Sequence, residues 1–231
     1  MGDGSDWVDM EAPTAARDVF ARWWPAFAVV LVVGLALAVI VDPGPLPGEL
    51  GYVRWLQDLG EPVPTLADVV RVTTGTEAAL IVAAVPAGWM LWRRERHGAI
   101  VVAIAALTML VVQPAVKEIV DRPRPSPQLV TVRAPTESMS FPSGHSLSTT
   151  TVWGAVAGAA WARRRRALAS AAAVPIVLTF FASGVQGVHW PTDAIAGTLL
   201  GATAAWLIVP RLPLSWRGGT SVGDRFSPRR S

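Results

Sequence analysis

Three short stretches of this chain carry residue types at spacings suited to chemistry. KEIVDRPRP places Lys117 and Arg124 seven positions apart with Arg122 between them. Pro123 and Pro125 forbid a continuing helix there, so the cations are expected on a stiff turn. FPSGHS puts Pro142, Ser143, Gly144 and His145 directly before a long apolar run. Pro142 suits a first helical turn, Gly144 allows close approach of a ligand, and free N–H groups of Ser143, Gly144 and His145 are expected at the positive end of a helix dipole. ASGVQGVHWPTD holds His189 with Asp193 four positions later. The third histidine, His97, lies in RRERH and reads as a loop residue with no catalytic part.

Cations, helix-start amides and imidazoles together describe a phosphate site. Breaking a phosphoester without a metal requires a nucleophile, a proton donor for the leaving group and a fixed positive cage. Each stretch alone has a plainer reading: a basic cluster that meets lipid headgroups, an ordinary helix cap, a structural histidine–carboxylate pair. A metal site built from His145, His189 and Asp193, with Asp121 or Glu137, is the competing chemistry. Lys117 and Arg124 argue against it because they would repel a cation, so the sequence predicts no metal and no cofactor.

The elements that must position these residues are membrane helices. Of 231 residues 52% are hydrophobic and 16% charged, and the apolar residues fall in blocks long enough to cross roughly 30 Å of hydrocarbon. Trp23, Trp24, Trp89, Trp92, Trp161, Trp190 and Trp206 sit at block ends, where interfacial rings anchor spans. The chain has no cysteine, which excludes disulfides and thiolate chemistry. A sequence pI near 10.5 does not point to nucleic acid, because the arginines flank apolar blocks.

An all-α, polytopic membrane protein follows, a bundle of six transmembrane helices. The spans run approximately Trp23 to Val41, Glu77 to Trp92, Gly98 to Val116, Ser146 to Ala162, Ala167 to Ala182 and Ala194 to Pro210. All must be helical because backbone exposed to lipid has to satisfy its own hydrogen bonds. Residues 1–22 form an acidic tail unlike a signal peptide, 23–210 the membrane domain and 211–231 a basic tail. RRERH, RRRR (Arg163 to Arg166) and the arginines of the C-terminal tail place three segments in the cytoplasm, and both termini with them. The three chemical stretches then share the extracytoplasmic face. In the first outward segment, Asp42 to Thr76, the run GYVRWLQDLG is expected to form a short interfacial helix through Val53, Trp55, Leu56 and Leu59. It reads as a packed connector or as a lid.

The motifs resemble those of the type 2 phosphatidic acid phosphatase superfamily. KEIVDRPRP matches Lys-x6-Arg-Pro, FPSGHS contains Pro-Ser-Gly-His, and GVHWPTD matches the end of Ser-Arg-x5-His-x3-Asp, in the family's order across residues 50–210. The layout is similar to the bacterial membrane branch, which includes undecaprenyl-diphosphate and phosphatidylglycerophosphate phosphatases. The resemblance implies that His189 attacks phosphorus to form a phosphohistidine and that Asp193 fixes its tautomer. It also implies that His145 protonates the leaving oxygen, while Lys117, Arg124, Ser143 and Gly144 hold the phosphate. The implied partner is a lipid phosphate or diphosphate in the bilayer, polyprenyl diphosphate first.

One motif departs from the pattern. The family's third-motif arginine is Ser183 here, preceded by Ala182. Removing one preorganised donor of this kind costs about 10² to 10³ in rate. Three accounts are open: Arg122 or Arg133 supplies the charge from another loop, the substrate's own binding energy makes up for a weaker cage, or the chain binds lipid phosphates without turning them over.

Overall fold

The computed structural model describes residues 14–211 apart from 93, 95, 97–99, 101, 102, 104–106 and 135. Among the described residues every regular element is helical. α1 (Thr14–Val41) starts within the residues expected as a tail and carries the first apolar run. α2 (Glu49–Gln57) and α3 (Val63–Thr74) follow, and Gly75 separates α3 from α4 (Thr76–Trp92). The expected third span, Gly98 to Val116, has seven of its residues outside the described ones, all between 98 and 106. Its end is a π-helical turn, Thr108–Val112, leading into α5 (Gln113–Val120). α6 (Gly144–Ala162), α7 (Arg166–Val185) and α8 (Pro191–Ile208) complete the chain, closed by a single 3₁₀ turn at Val209–Arg211.

Local chemistry sets several boundaries. α5 stops where Asp121 adopts a left-handed φ of 49° and Pro123 can donate no backbone hydrogen bond. α6 is capped by Ser143, whose Oγ accepts from the Ser146 N–H at 3.4 Å. Pro142 therefore precedes the cap, joined to Phe141 by a cis peptide, and does not occupy the first turn as the sequence suggested. α8 opens with Pro191 at its first position and Asp193 at its third, where the carboxylate reaches back to accept the Trp190 N–H at 2.8 Å.

Polarity is distributed inside out. Ser143, Ser146, Ser148, Thr149, Thr150 and Thr151 are buried, while Phe27, Val30, Leu37, Val85, Val177 and Phe181 face outward. A water-soluble core would reverse that arrangement, and lipid as solvent explains it. Two described helices, Arg22–Val41 and Arg166–Val185, are long and apolar enough to cross a membrane.

The closest helix pair is α6 with α8, which run in the same direction and bring their N-termini together. A Cβ on Gly197 would lie 2.4 Å from the Ser143 carbonyl, and one on Gly201 2.6 Å from the Leu147 carbonyl. Glycine at both places is what lets the backbones meet. Farther down the pair, Ala205 meets Gly154 and Val209 meets Gly158. The first turns of α6 and α8, which carry His145 and Asp193, are thereby brought together at one end.

The segment Asp42 to Thr76 holds two helices, one more than the sequence indicated. In α2, Val53 packs with Val130 and Trp190, and Leu56 with Ala67, Ala182 and Val185. Trp55 and Leu59 stay exposed. The Gln186 amide donates to Ala67 O at 3.3 Å and to Asp68 Oδ1 at 3.0 Å, fixing α3 across the end of α7. The segment is a packed layer over the bundle end.

Candidate active site

The α6–α8 register sets two histidines at the same end of the bundle. His189 sits in the turn between α7 and α8. Gly187 makes that turn possible: its φ is 61°, and any Cβ there would stand 2.3 Å from the Thr131 carbonyl oxygen. Arg124 is held beside it by the Ser138 and Val188 carbonyls, both 2.6 Å from its nitrogens, and by Ser138 Oγ at 3.0 Å. Arg124 Nη1 then lies 3.3 Å from His189 Nε2. A guanidinium can only donate, so Nε2 must present its lone pair and Nδ1 carries the proton. Burial pushes the His189 imidazole down to about 3; Asp193 pulls it upward, while Arg124 and Lys117 press it further down. The ring is neutral at ordinary pH, with its lone pair on the cationic side.

Behind the ring stands Asp193, fully buried. His189 Nδ1 is 3.7 Å from Asp193 Oδ2, too long for the direct hydrogen bond the family pattern suggests. Ser140 bridges the gap: its Oγ is 3.4 Å from Nδ1 and donates to Oδ2 at 2.5 Å. Burial pushes the Asp193 carboxyl up, but His189, Arg122 and Ser140 outweigh it and hold the group below the usual carboxylate range.

Arg122 corrects one expectation. It is fully buried and faces away from the cage, donating to Thr192 Oγ1 and Asp193 Oδ1 at 2.7 Å each, to Glu49 Oε2 at 2.7 Å and to the Gly44 carbonyl at 2.9 Å. Glu49 also accepts from the Thr192 N–H at 2.9 Å and its hydroxyl at 2.7 Å. Both terminal nitrogens of Arg122 are thus committed to two carboxylates, a hydroxyl and a carbonyl, and its Nε is buried without a partner, so no terminal N–H is left to clamp a phosphate. Arg133 pairs through Nη2 with Asp68 at 3.1 Å on the surface.

On the other side stand the remaining cage residues. Lys117 is buried and donates to the Met139 carbonyl. Burial lowers it to about 8 with help from Arg124, against Asp193 and Glu118. Arg124 falls to about 10 by burial and the charge of Arg71, against Asp193. At FPSGHS the amides divide. The Ser143 N–H is taken by the Asp193 carbonyl at 3.0 Å, a correction to the expected triple anion site, whereas Gly144 and His145 begin α6 and have no intrahelical acceptor. The Ser143 hydroxyl caps α6 and keeps its own proton to donate. Gln113 reaches the same place, its Nε2 3.1 Å from where a Gly144 Cβ would be.

His145 is pushed down to about 4 by burial and then by the charges of Arg71, Arg124 and Lys117, with the Arg71 carbonyl opposing. An anion among those cations would remove the repulsion and return proton affinity to the ring. The arrangement can hold a phosphate between two imidazoles, with the anion raising the proton affinity of His145. Among the described residues no group of three His, Asp or Glu side chains is placed to hold a metal. Asp121 and Glu137 are exposed.

The sequence motifs named Lys117, Arg124, Ser143, Gly144, His145, His189 and Asp193, and the fold brings all seven to one bundle end. They did not name Glu49, Arg71, Gln113 or Ser140. Ser140 directly precedes FPSGHS and Gln113 lies four residues before Lys117, whereas Glu49 and Arg71 are isolated in sequence from any motif.

An all-helical fold faced with apolar residues and this cationic, two-histidine site together define a phosphatase of lipid phosphates. The family model described as the PAP2 superfamily matches residues 96–217, more than half of the chain, which therefore belongs to that superfamily. The structure is similar to the crystal structure of the first transmembrane PAP2 type phosphatidylglycerolphosphate phosphatase from Bacillus subtilis, with a TM-score of 0.69 and 19% sequence identity over 80% of this chain and 94% of that one. At that identity the likeness is one of fold. No curated protein matches the chain.

Proposed function

We propose that this protein hydrolyses a lipid phosphate or diphosphate at the extracytoplasmic face of the cytoplasmic membrane without a metal, through a phosphohistidine on His189. The observation that carries the reading is His189 itself: neutral, with Nε2 directed at Arg124 and its other nitrogen facing Ser140 and Asp193. Nε2 attacks phosphorus while His145 gives its proton to the leaving oxygen. His145 then takes a proton from water, which attacks the phosphohistidine and regenerates the ring. Lys117, Arg124, the Ser143 hydroxyl and the Gly144 amide hold the phosphoryl oxygens.

In this reading six spans with their basic links inside leave both termini in the cytoplasm, and α2, whose Trp55 is exposed, lies in the outer interface. A lipid can then present its headgroup at the bundle end while its tail stays in the bilayer. A polyprenyl diphosphate is the leading substrate, followed by phosphatidic acid or phosphatidylglycerophosphate, the last in keeping with the Bacillus subtilis neighbour's activity.

The test is phosphate release by purified protein from a panel of these lipids with excess chelator. Activity should persist under chelation, vanish in His189→Ala and leave acid-labile phosphate trapped on His189. Loss on chelation removes the metal-free mechanism. Lipid binding without turnover in the unmodified protein would favour a phosphate-lipid-binding relative, the reading that Ser183 invites.

A further inference from the structure

Position 183, where the family carries its third arginine, offers no charge. Ser183 is buried, its Oγ turned back to the Thr179 carbonyl at 2.9 Å. It lines a narrow crevice with Tyr52, Phe180, His189 and Trp190. Arg122 and Arg133 are both bonded to carboxylates.

A different arginine lies next to the site, its backbone carbonyl against the His145 ring. Arg71, in the last turn of α3, is half-buried, and among the described residues it has no hydrogen-bonding or ion-pairing partner for its side chain. A Cβ built on Gly75 would lie 3.5 Å from the Arg71 carbonyl oxygen, 3.5 Å from His145 Nε2 and 3.6 Å from Glu77 Oε2, so the end of α3 and the His145 ring share one small space. That end is fixed: Thr149 of α6 donates to the Thr74 carbonyl at 2.9 Å, and Gln186 holds α3 at Ala67 and Asp68. The charges facing Arg71 are Asp68, already bonded to Gln186 and Arg133, Glu77 on the surface, and the cationic Arg124 and His145 side.

We infer that Arg71 is a phosphate-binding residue of the active site, supplying from the first outward segment the donor that Ser183 lacks, and that it does so on the leaving-group side. The side follows from His145, the proton donor to the leaving oxygen, whose ring abuts the Arg71 backbone. A guanidinium beside the leaving oxygen has little to hold when that group is a neutral glycerolipid hydroxyl. When the leaving group is itself a lipid monophosphate, Arg71 neutralises the charge developing on it. The inference thus rests on the phosphohistidine reading and narrows its substrate to diphosphates.

The experiment compares kcat/KM for a polyprenyl diphosphate and for the corresponding polyprenyl monophosphate in detergent, with chelator, for the unmodified protein, Arg71→Gln, Arg71→Lys and His189→Ala. Arg71→Gln should lose about 10²-fold on the diphosphate and less than about 10-fold on the monophosphate. Arg71→Lys should keep the diphosphate preference while losing part of the rate, because the charge remains and the fork does not. A merely structural role for Arg71 lowers both substrates equally, and that result, or no change in either, overturns the inference while His189→Ala remains dead. If His189→Ala stays active, the phosphohistidine reading has failed on its own account.

Discussion

Replacing Arg122 with Met tests the network behind His189. The side chain is 0% exposed, and its ion pairs to Glu49 and Asp193 are 2.7 Å each with both carboxylates buried. Methionine fills much of the volume and lies against Trp190, over which the guanidinium now sits at 5.9 Å. It leaves two buried carboxylates without a counter-charge. Breaking a buried pair from one side costs about 3–5 kcal/mol, chiefly the desolvation of the abandoned charge. Glu49 keeps three other donors, which sets the expectation near the lower end of that range. Arg122→Met/Glu49→Gln should recover part of the loss, because it removes one of the two stranded charges. Reversible unfolding in mixed micelles measures the cost. The same variant should move the acid limb of the activity profile to higher pH: without Arg122, burial raises the Asp193 carboxyl, and activity is lost as pH falls through that higher value. Stability within about 1 kcal/mol of the unmodified protein would refute the view that the pair is desolvated and mutually dependent.

Other outcomes follow from the same geometry. Ser140→Ala removes the hydroxyl between His189 Nδ1 and Asp193 Oδ2; kcat should fall about 10-fold or more with little change in KM, since ground-state phosphate contacts lie on the other face of the ring. Gly201→Val should prevent α6 and α8 from closing, because its Cβ would meet the Leu147 carbonyl at 2.6 Å; the readout is loss of folded protein in detergent by size-exclusion and thermal melts. Stability should decline on acidification from about pH 6.5 to about pH 3. The unfolded chain takes up protons that buried His145 and His189, lowered to about 4 and about 3, refuse in the folded state. His145→Asn should flatten that decline in a melting-temperature series across pH.

Much of the architecture was legible as apolar runs. Glu77 to Trp92, Ser146 to Ala162, Ala167 to Ala182 and Ala194 to Pro210 fall within helices whose ends differ by a few residues. Hydrophobicity and helix-capping chemistry are local, so sequence carries them. α3 was missed because Val63–Thr74 lacks a long apolar run and opens after the Glu61-Pro62 turn. It exists as a helix because Ala67, with Val63 and Val70 beside it, packs on Leu56, Ala182 and Val185, a face made only in the folded bundle.

The sequence by itself determined which chemistry is on hand: two imidazoles, a carboxylate and a set of cations in the family's order and spacing. Only the tertiary structure decided which cation serves which anion. Arg122 and Arg124 are two residues apart and equally basic on paper, yet one is buried against Glu49 and Asp193 and the other lies against His189 Nε2. The partners of Arg122 lie 73 and 71 positions away, and the Arg71 carbonyl meets His145 from a helix outside every motif. Charge pairing in a low-dielectric interior follows distance in space, and no local pattern in the chain records that distance.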